Sequence, residues 1–390
     1  MQPFELNPTF CFTLLGTLFI YLWTRPPRWS FVPILILAWG LRTLCTKLMG
    51  GLGDYYAARW ISWGAFLGIG ALVVLAVQVV RSRGPERELS LRTFYAGSVF
   101  PMLALLDGYS VPLNIWLRPK TYDAFLLAFD GSLGLQPSFV LGHFLLRSPT
   151  AWNLTTIVYY ALPLAVSMVY ASDRMRSQKP VAILTLFLTF TTLGFAQYGV
   201  YPAVGPRYAF ARVYPEAPPA LAQIVLQPMA VPDSPRNCMP SLHLAAALLV
   251  LWNCRHWPRW GRLLVSLFVL ATAFATLALG EHYLADLIVA VPFALLFQAG
   301  CTTSVPWSEP VRRNSFWFAI FLTIGWMLLL RFGVGFFAMS SVFAWGVGLV
   351  TVGFSLVLER RLSAVSLRST MERSEVPRRS GIDEPLTTNH

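Results

Sequence analysis

The chain has 390 residues, of which 56% are hydrophobic and 12% charged, about half the charged share of an ordinary soluble domain. Length alone would suggest two or three soluble domains, and this composition excludes them in favour of a membrane bundle. The formal charge of +12 is scattered over short loops and the C-terminal region, which is the pattern that orients membrane proteins and not a basic groove for nucleic acid.

A bilayer span needs roughly 20 mostly apolar residues. Backbone amides in lipid must be satisfied within the segment, so the apolar runs are predicted to be helices. In chain order they are residues 9–23, 31–48, 61–80, 94–116, 152–171, 181–200, 241–252, 263–279, 282–301, 316–330 and 336–358, about eleven in all. The first run has no basic region before it and no clear cleavage site after it, and reads as a retained helix. Segment 122–146 mixes Asp123, Asp130, Gly131, Gly134 and His143 with apolar residues, and is predicted to form helices lying in the interface. Beyond Glu359 the chain is rich in Arg, Ser, Glu and Pro without periodicity, and 359–390 is predicted to be a disordered cytoplasmic tail.

Basic residues cluster at 25–28, 81–92, 174–179 and 255–262, followed by Arg312, Arg313, Arg360 and Arg361. With the predicted spans, all fall on one side, which the positive-inside rule makes cytoplasmic. Loop 201–240 and the Gly280-Glu281 turn then face the periplasm or lumen. Cys11, Cys45, Cys238, Cys254 and Cys301 show no CxxC spacing and read as small buried hydrophobes.

Two of the five histidines sit at the outer ends of neighbouring spans. His282 and Asp286 in Gly280-Glu281-His282-Tyr283-Leu284-Ala285-Asp286 are four positions apart, on one helical face. The carboxylate can accept the imidazole Nδ1–H and raise the basicity of Nε2, the base–orienter half of a catalytic triad. The same spacing also occurs as a purely structural pair. His243 follows Pro240-Ser241-Leu242 at a predicted helix start, where the free amides of Ser241, Leu242 and His243 form an anion site. A helix cap with an interfacial histidine is the plainer alternative there. Arg207, after Gly205-Pro206, and Arg236 are candidate phosphate ligands through bidentate guanidinium bonding.

Pro240-Ser241-Leu242-His243 and His282-x-x-x-Asp286 resemble the PSGH and HxxxD motifs of the type-2 phosphatidic acid phosphatase superfamily. The similarity spans about 152–302 and is weaker over 118–134, at Tyr122-Asp123 and Phe129-Asp130-Gly131. Leu242 replaces the motif glycine, and the Ser-Arg expected before His282 falls on Ala275-Thr276. The KxxxxxxRP motif is absent, with Gly205-Pro206-Arg207 the nearest counterpart. These departures are similar to the branch of inositol phosphorylceramide and sphingomyelin synthases. The resemblance implies an all-α bundle with a six-helix core at 118–304, flanked by membrane helices at 1–117 and 305–358. It implies phosphohistidine chemistry at His282, with His243 and Asp286, on a lipid phosphate ester with an alcohol or water as acceptor. It implies no metal or other cofactor, and no nucleic-acid partner is expected. A transporter, suggested by Asp107 and Gln197 inside spans, and a non-catalytic scaffold are the alternatives.

Overall fold

The computed structural model describes residues 8–48 and 56–379. The apolar runs fold as helices: α1 (Pro8–Trp23), α2 (Phe31–Leu48), α3 (Tyr56–Arg81), α4 (Gly84–Leu117), α5 (Asp123–Ser132), α6 (Pro137–Leu146), α7 (Pro149–Tyr160) and α8 (Leu162–Arg174). After these come α9 (Ile183–Val200), α10 (Pro206–Ala209), α11 (Leu242–Asn253), α12 (Arg259–Ala278), α13 (Leu284–Cys301), α14 (Pro310–Phe332) and α15 (Ser341–Arg379). The only sheet among the described residues pairs β1 (Lys120–Thr121) with β2 (Met229–Ala230), antiparallel.

Among the described residues eight helices are long and apolar enough to cross a membrane, and the bent pairs α5–α6 (91°) and α7–α8 (41°) bring the number to ten. Of the predicted runs, α1 and α11 fall short at 16 and 12 residues, and the pair α5–α6, not predicted as a span, is added. Segment 152–171, predicted as one span, breaks at Ala161. Pro163, in the first turn of α8, has no amide proton to continue the α7 ladder. Most of the basic segment 81–92 belongs to α4, which starts at Gly84 with a proline in its first turn.

α13 is the centre of the bundle, with 78% of its apolar window buried, and it packs against α5, α9, α11, α14 and α15. The N-terminal helices join the same bundle. α1 packs on α3, α4 and α8, and Thr17 Oγ1 donates to the Gly97 carbonyl of α4 at 2.6 Å.

In the stretch predicted as a disordered tail, α15 continues from Glu359 to Arg379. Its first residues are tied to the bundle: Arg255 lies 2.6 Å from Glu359 and also donates to Ser363. Leu362 packs with Ala299 and Val305. Residues 380–390 lie outside the described residues.

Contacts at that end tie the basic segments together. Trp257 Nε1 donates to Ser172 Oγ at 3.0 Å, Ala182 N donates to the Cys301 carbonyl at 2.9 Å, and Arg312 donates to the carbonyls of Ala299, Gly300 and Val305. The opposite end gathers the C-termini of α9 and α12 with the N-termini of α11 and α13. Glu359 is 1% exposed, so Glu359→Ala is expected to cost about 2 kcal/mol by stripping Arg255 of its buried partner. Thermal unfolding in detergent measures this, and a stability equal to the parent's would contradict the docked tail.

Candidate active site

Helix α5 is packed inside the bundle and not on its surface. Residues Asp123–Leu127, Phe129 and Asp130 are buried, because its two carboxylates serve backbone groups inside the bundle. Asp130 accepts from the amides of Leu284 (2.8 Å) and Ala285 (3.1 Å), the first turn of α13. Asp123 accepts from Gly205 N at 3.0 Å and Val204 N at 3.2 Å, and from the Tyr283 hydroxyl at 3.0 Å. One short helix therefore holds both the start of α13 and the chain leaving α9.

That clamp sets the position of His282, which precedes α13. The ring centres of His243 and His282 lie 6.3 Å apart at 61°, so the predicted pair does come together. His243 is also stacked on Tyr159, with centres 3.9 Å apart and planes 20° from parallel. His282 Nδ1 is 3.5 Å from Asp286 Oδ2, longer than the roughly 2.7–2.9 Å of a charge-assisted hydrogen bond. Oδ2 is instead held by Tyr283 N at 2.8 Å and the Cys238 thiol at 2.7 Å. Catalytic hydrogen bonds in ligand-free sites are often long and tighten with substrate. Burial, with the nearby Asp286 charge, pushes the Cys238 thiol well above its ordinary value, so it stays protonated and donates.

Cys238, His282 and Asp286 each present a metal-ligand atom, all within 4.8 Å of one another. A closed zinc site takes four protein ligands. Here the thiol and carboxylate already bond to each other, and hydrogen bonding accounts for the cluster without an ion.

The predicted anion ligands divide. Ser241 caps α11, with Oγ accepting from Leu244 N at 3.4 Å, and its own amide donates to the Asp286 carbonyl at 3.3 Å. Both groups are thus engaged within the protein. Arg236 is corrected as a phosphate ligand. Its guanidinium, 1% exposed, donates to the carbonyls of Arg118, Pro119 and Ser234, tying β1 to the loop before α11. Arg207 does reach the site. Its Nη1 lies 2.9 Å from Glu281 Oε1, and Tyr208 donates to the same oxygen at 3.3 Å. Burial holds the Glu281 carboxyl above its ordinary value, with Arg207 opposing but not cancelling the shift.

Two glycines permit this approach. Gly205 and Gly280 have φ of +89° and +70°, a region that favours glycine. A Cβ on Gly205 would come within 2.4 Å of the Glu281 carbonyl, and one on Gly280 within 2.9 Å of Arg207 Cβ. Thr276, at the position of the missing motif arginine, instead accepts from the amides of Glu281 and His282, each at 3.1 Å. The motif glycine lost at Leu242 has a counterpart across the interface. On α9, a Cβ at Gly194 would stand 2.7 Å from Leu242 Cδ1, so α9 makes the room that Leu242 fills.

A cavity of about 710 Å³ opens beside His243, Glu281, Tyr208 and Asn237. His243, His282 and Asp286, singled out from their spacing, stand close together. Glu281 stood inside the motif yet went unread, because an acidic neighbour has no fixed spacing to mark it. Tyr159 comes from far along the chain and carried no local signal of its place, while Asp123 and Cys238, both visible in the sequence, had no spacing that tied them to Tyr283 and Asp286. Of the transporter-like polar groups, Gln197 bonds Met327 Sδ, and the Asp107 side chain lies outside those described.

Residues 124–300 match the family model of the PAP2 superfamily, which runs from the start of α5 almost to the end of α13. No curated protein matches the chain, and no solved structure does. The match supports a phosphatase-type phosphoesterase core and leaves α1–α4, α14 and α15 outside it.

Gly194→Ala is expected to destabilise the protein by about 1–3 kcal/mol through overpacking against Leu242, and Leu242→Ala in the same chain should recover most of that loss. A double-mutant cycle in thermal unfolding reads the coupling. Additive effects would mean that the two residues do not share that space.

Proposed function

We propose that the chain is a membrane enzyme that cleaves a lipid phosphate ester through a phosphohistidine and passes the phosphoryl-bearing group to water or an alcohol. The observation that carries this reading is the approach of His243 and His282 within 6.3 Å, with Asp286 behind one ring and Arg207 beside the mouth.

In this mechanism His282 Nε2 attacks phosphorus while Asp286 holds the Nδ1 proton and stabilises the imidazolium that forms. The bond from phosphorus to the leaving oxygen breaks, and His243 gives that oxygen its proton. Water or an alcohol, deprotonated by His243, then attacks the phosphohistidine and releases His282. Arg207 and the first-turn amides of Leu242 and His243 hold the phosphoryl oxygens. Attack needs about 3–3.5 Å between nitrogen and phosphorus, and proton donation a further contact of about 2.6–3.2 Å. With the phosphorus–oxygen bond between them these exceed the 6.3 Å between ring centres, so substrate binding moves the two rings apart.

Headgroup transfer is favoured over hydrolysis by the resemblance of the motif departures to the synthase branch. The site lies at the end of the bundle away from the basic segments, and on the positive-inside rule we read that end as facing the periplasm or lumen.

His243→Ala and His282→Ala are each expected to lower turnover of a labelled phospholipid by about 10²–10⁴-fold. Full activity in both variants would refute the mechanism. The distribution of label between free phosphate and an added alcohol separates hydrolysis from transfer.

Arg207 is held by Glu281 before substrate arrives, so Glu281 competes with phosphate for it. Protonating Glu281 releases Arg207, and vanadate inhibition is expected to tighten as pH falls through the raised Glu281 pKa. Glu281→Gln should bind vanadate more tightly at neutral pH and lose that part of the pH dependence. Parallel pH profiles of Ki for the two proteins would rule out the competition.

A further inference from the structure

The cavity beside His243 is not closed by the catalytic core alone. From α4 it takes Phe100, Leu103, Ala104, Gly108 and Val111, and from α9 it takes Phe187, Phe190, Thr191, Phe195 and Tyr198. The spacing is the same on both helices: i, i+3, i+4, i+8 and i+11. Each therefore offers one continuous face. α1 adds Phe10 and Thr13, and the bend between α7 and α8 adds Tyr160, Leu162 and Pro163. α1 and α4 lie outside the PAP2-matched residues, so a wall of this cavity is built by helices added to that core.

Polarity divides the cavity along its length. His243, Glu281, Tyr208 and Asn237 cluster where α11 begins, and the α4 and α9 faces lead away from them. Each face advances eleven residues, about 16 Å at about 1.5 Å per residue. That is roughly half of the 30 Å hydrocarbon thickness. The two helices give the same depth. Away from that polar cluster the lining of this space of about 710 Å³ is mostly aliphatic and aromatic, with Thr13 and Thr191 among it, and cavities of that character take apolar ligands. Its size falls within the roughly 300–1,000 Å³ of ordinary ligand sites.

We infer that α1 and α4 form, with α9, a binding site for the hydrocarbon tail of the phosphate ester, whose phosphate lies at His243 and whose tail runs toward mid-membrane. The inference rests on the phosphoester reading above and adds to it that tail length is measured by helices outside the matched core. Gly108 is the position to test, because a Cβ there meets nothing within 4 Å. Gly108 lines the cavity, so a larger side chain there narrows its wall with no backbone clash at Cβ.

The probes are 1-alkyl phosphates from butyl to hexadecyl, presented to the full chain in mixed micelles. Gly108→Phe is expected to lower the hexadecyl-to-butyl ratio of kcat/KM by about tenfold or more. Leu270→Phe, on an exposed face of α12, should leave that ratio unchanged. A parent protein that turns over no alkyl phosphate contradicts the phosphoester reading itself. An active parent whose ratio is the same in Gly108→Phe overturns the tail site alone. Should Gly108→Phe fail to fold, a hexadecyl phosphate carrying a terminal diazirine gives the answer on the parent protein. Label on α1, α4 and α9 peptides that unlabelled hexadecyl phosphate displaces supports the site, and label confined to the outer faces of α12 and α14 overturns it.

Discussion

The first amides of a helix have no partner inside it, and in a bundle without water each unpaired group costs on the order of a few kcal/mol. At α13 the solution is a carboxylate from another helix: Asp130 takes the amides of Leu284 and Ala285. The residue two positions earlier is His282, so the bond that satisfies the helix also places the imidazole. Asp123, two turns earlier on α5, takes the amides of Val204 and Gly205, and Arg207 follows after Pro206. The two ends of the candidate site are thus referenced to one buried helix, whose isolated carboxylates are retained because each has backbone donors.

The same constraint explains why other polar groups stand where they do. Arg236 is almost fully buried and must spend its donors on carbonyls, and in doing so it braces the loop that carries Cys238 and Ser241. Ser241 gives its amide to the Asp286 carbonyl, which links the start of α11 to the start of α13. His243 and His282 are neighbours because these two helix starts are bonded to each other. Around them Glu281, Arg207 and Tyr208 form a hydrogen-bonded rim. The apolar cavity begins at that rim.

At the far end, Arg255, Glu359 and Ser363 weld α15 to the loop after α11. Glu359, which read as the start of a solvated tail, is paired with Arg255, and that partner lies too far along the chain for composition to reveal it. Helix α5 misled in the same way. Asp123 and Asp130 looked like the polar side of an interfacial helix, and became internal caps because unpaired amides were waiting for them.

Local pattern by itself determined the helical class, the grouping of basic segments at one end, and the candidate trio His243, His282 and Asp286. Those features depend on residues within one or two turns of each other, where spacing along the chain is spacing in space. Tertiary structure alone decided that Arg236 braces while Arg207 reaches the site, that Gly194 makes room for Leu242, and that α1 and α4 line the cavity. Each of those depends on which distant segment supplies the missing hydrogen bond or the missing volume, and periodicity carries no record of that partner.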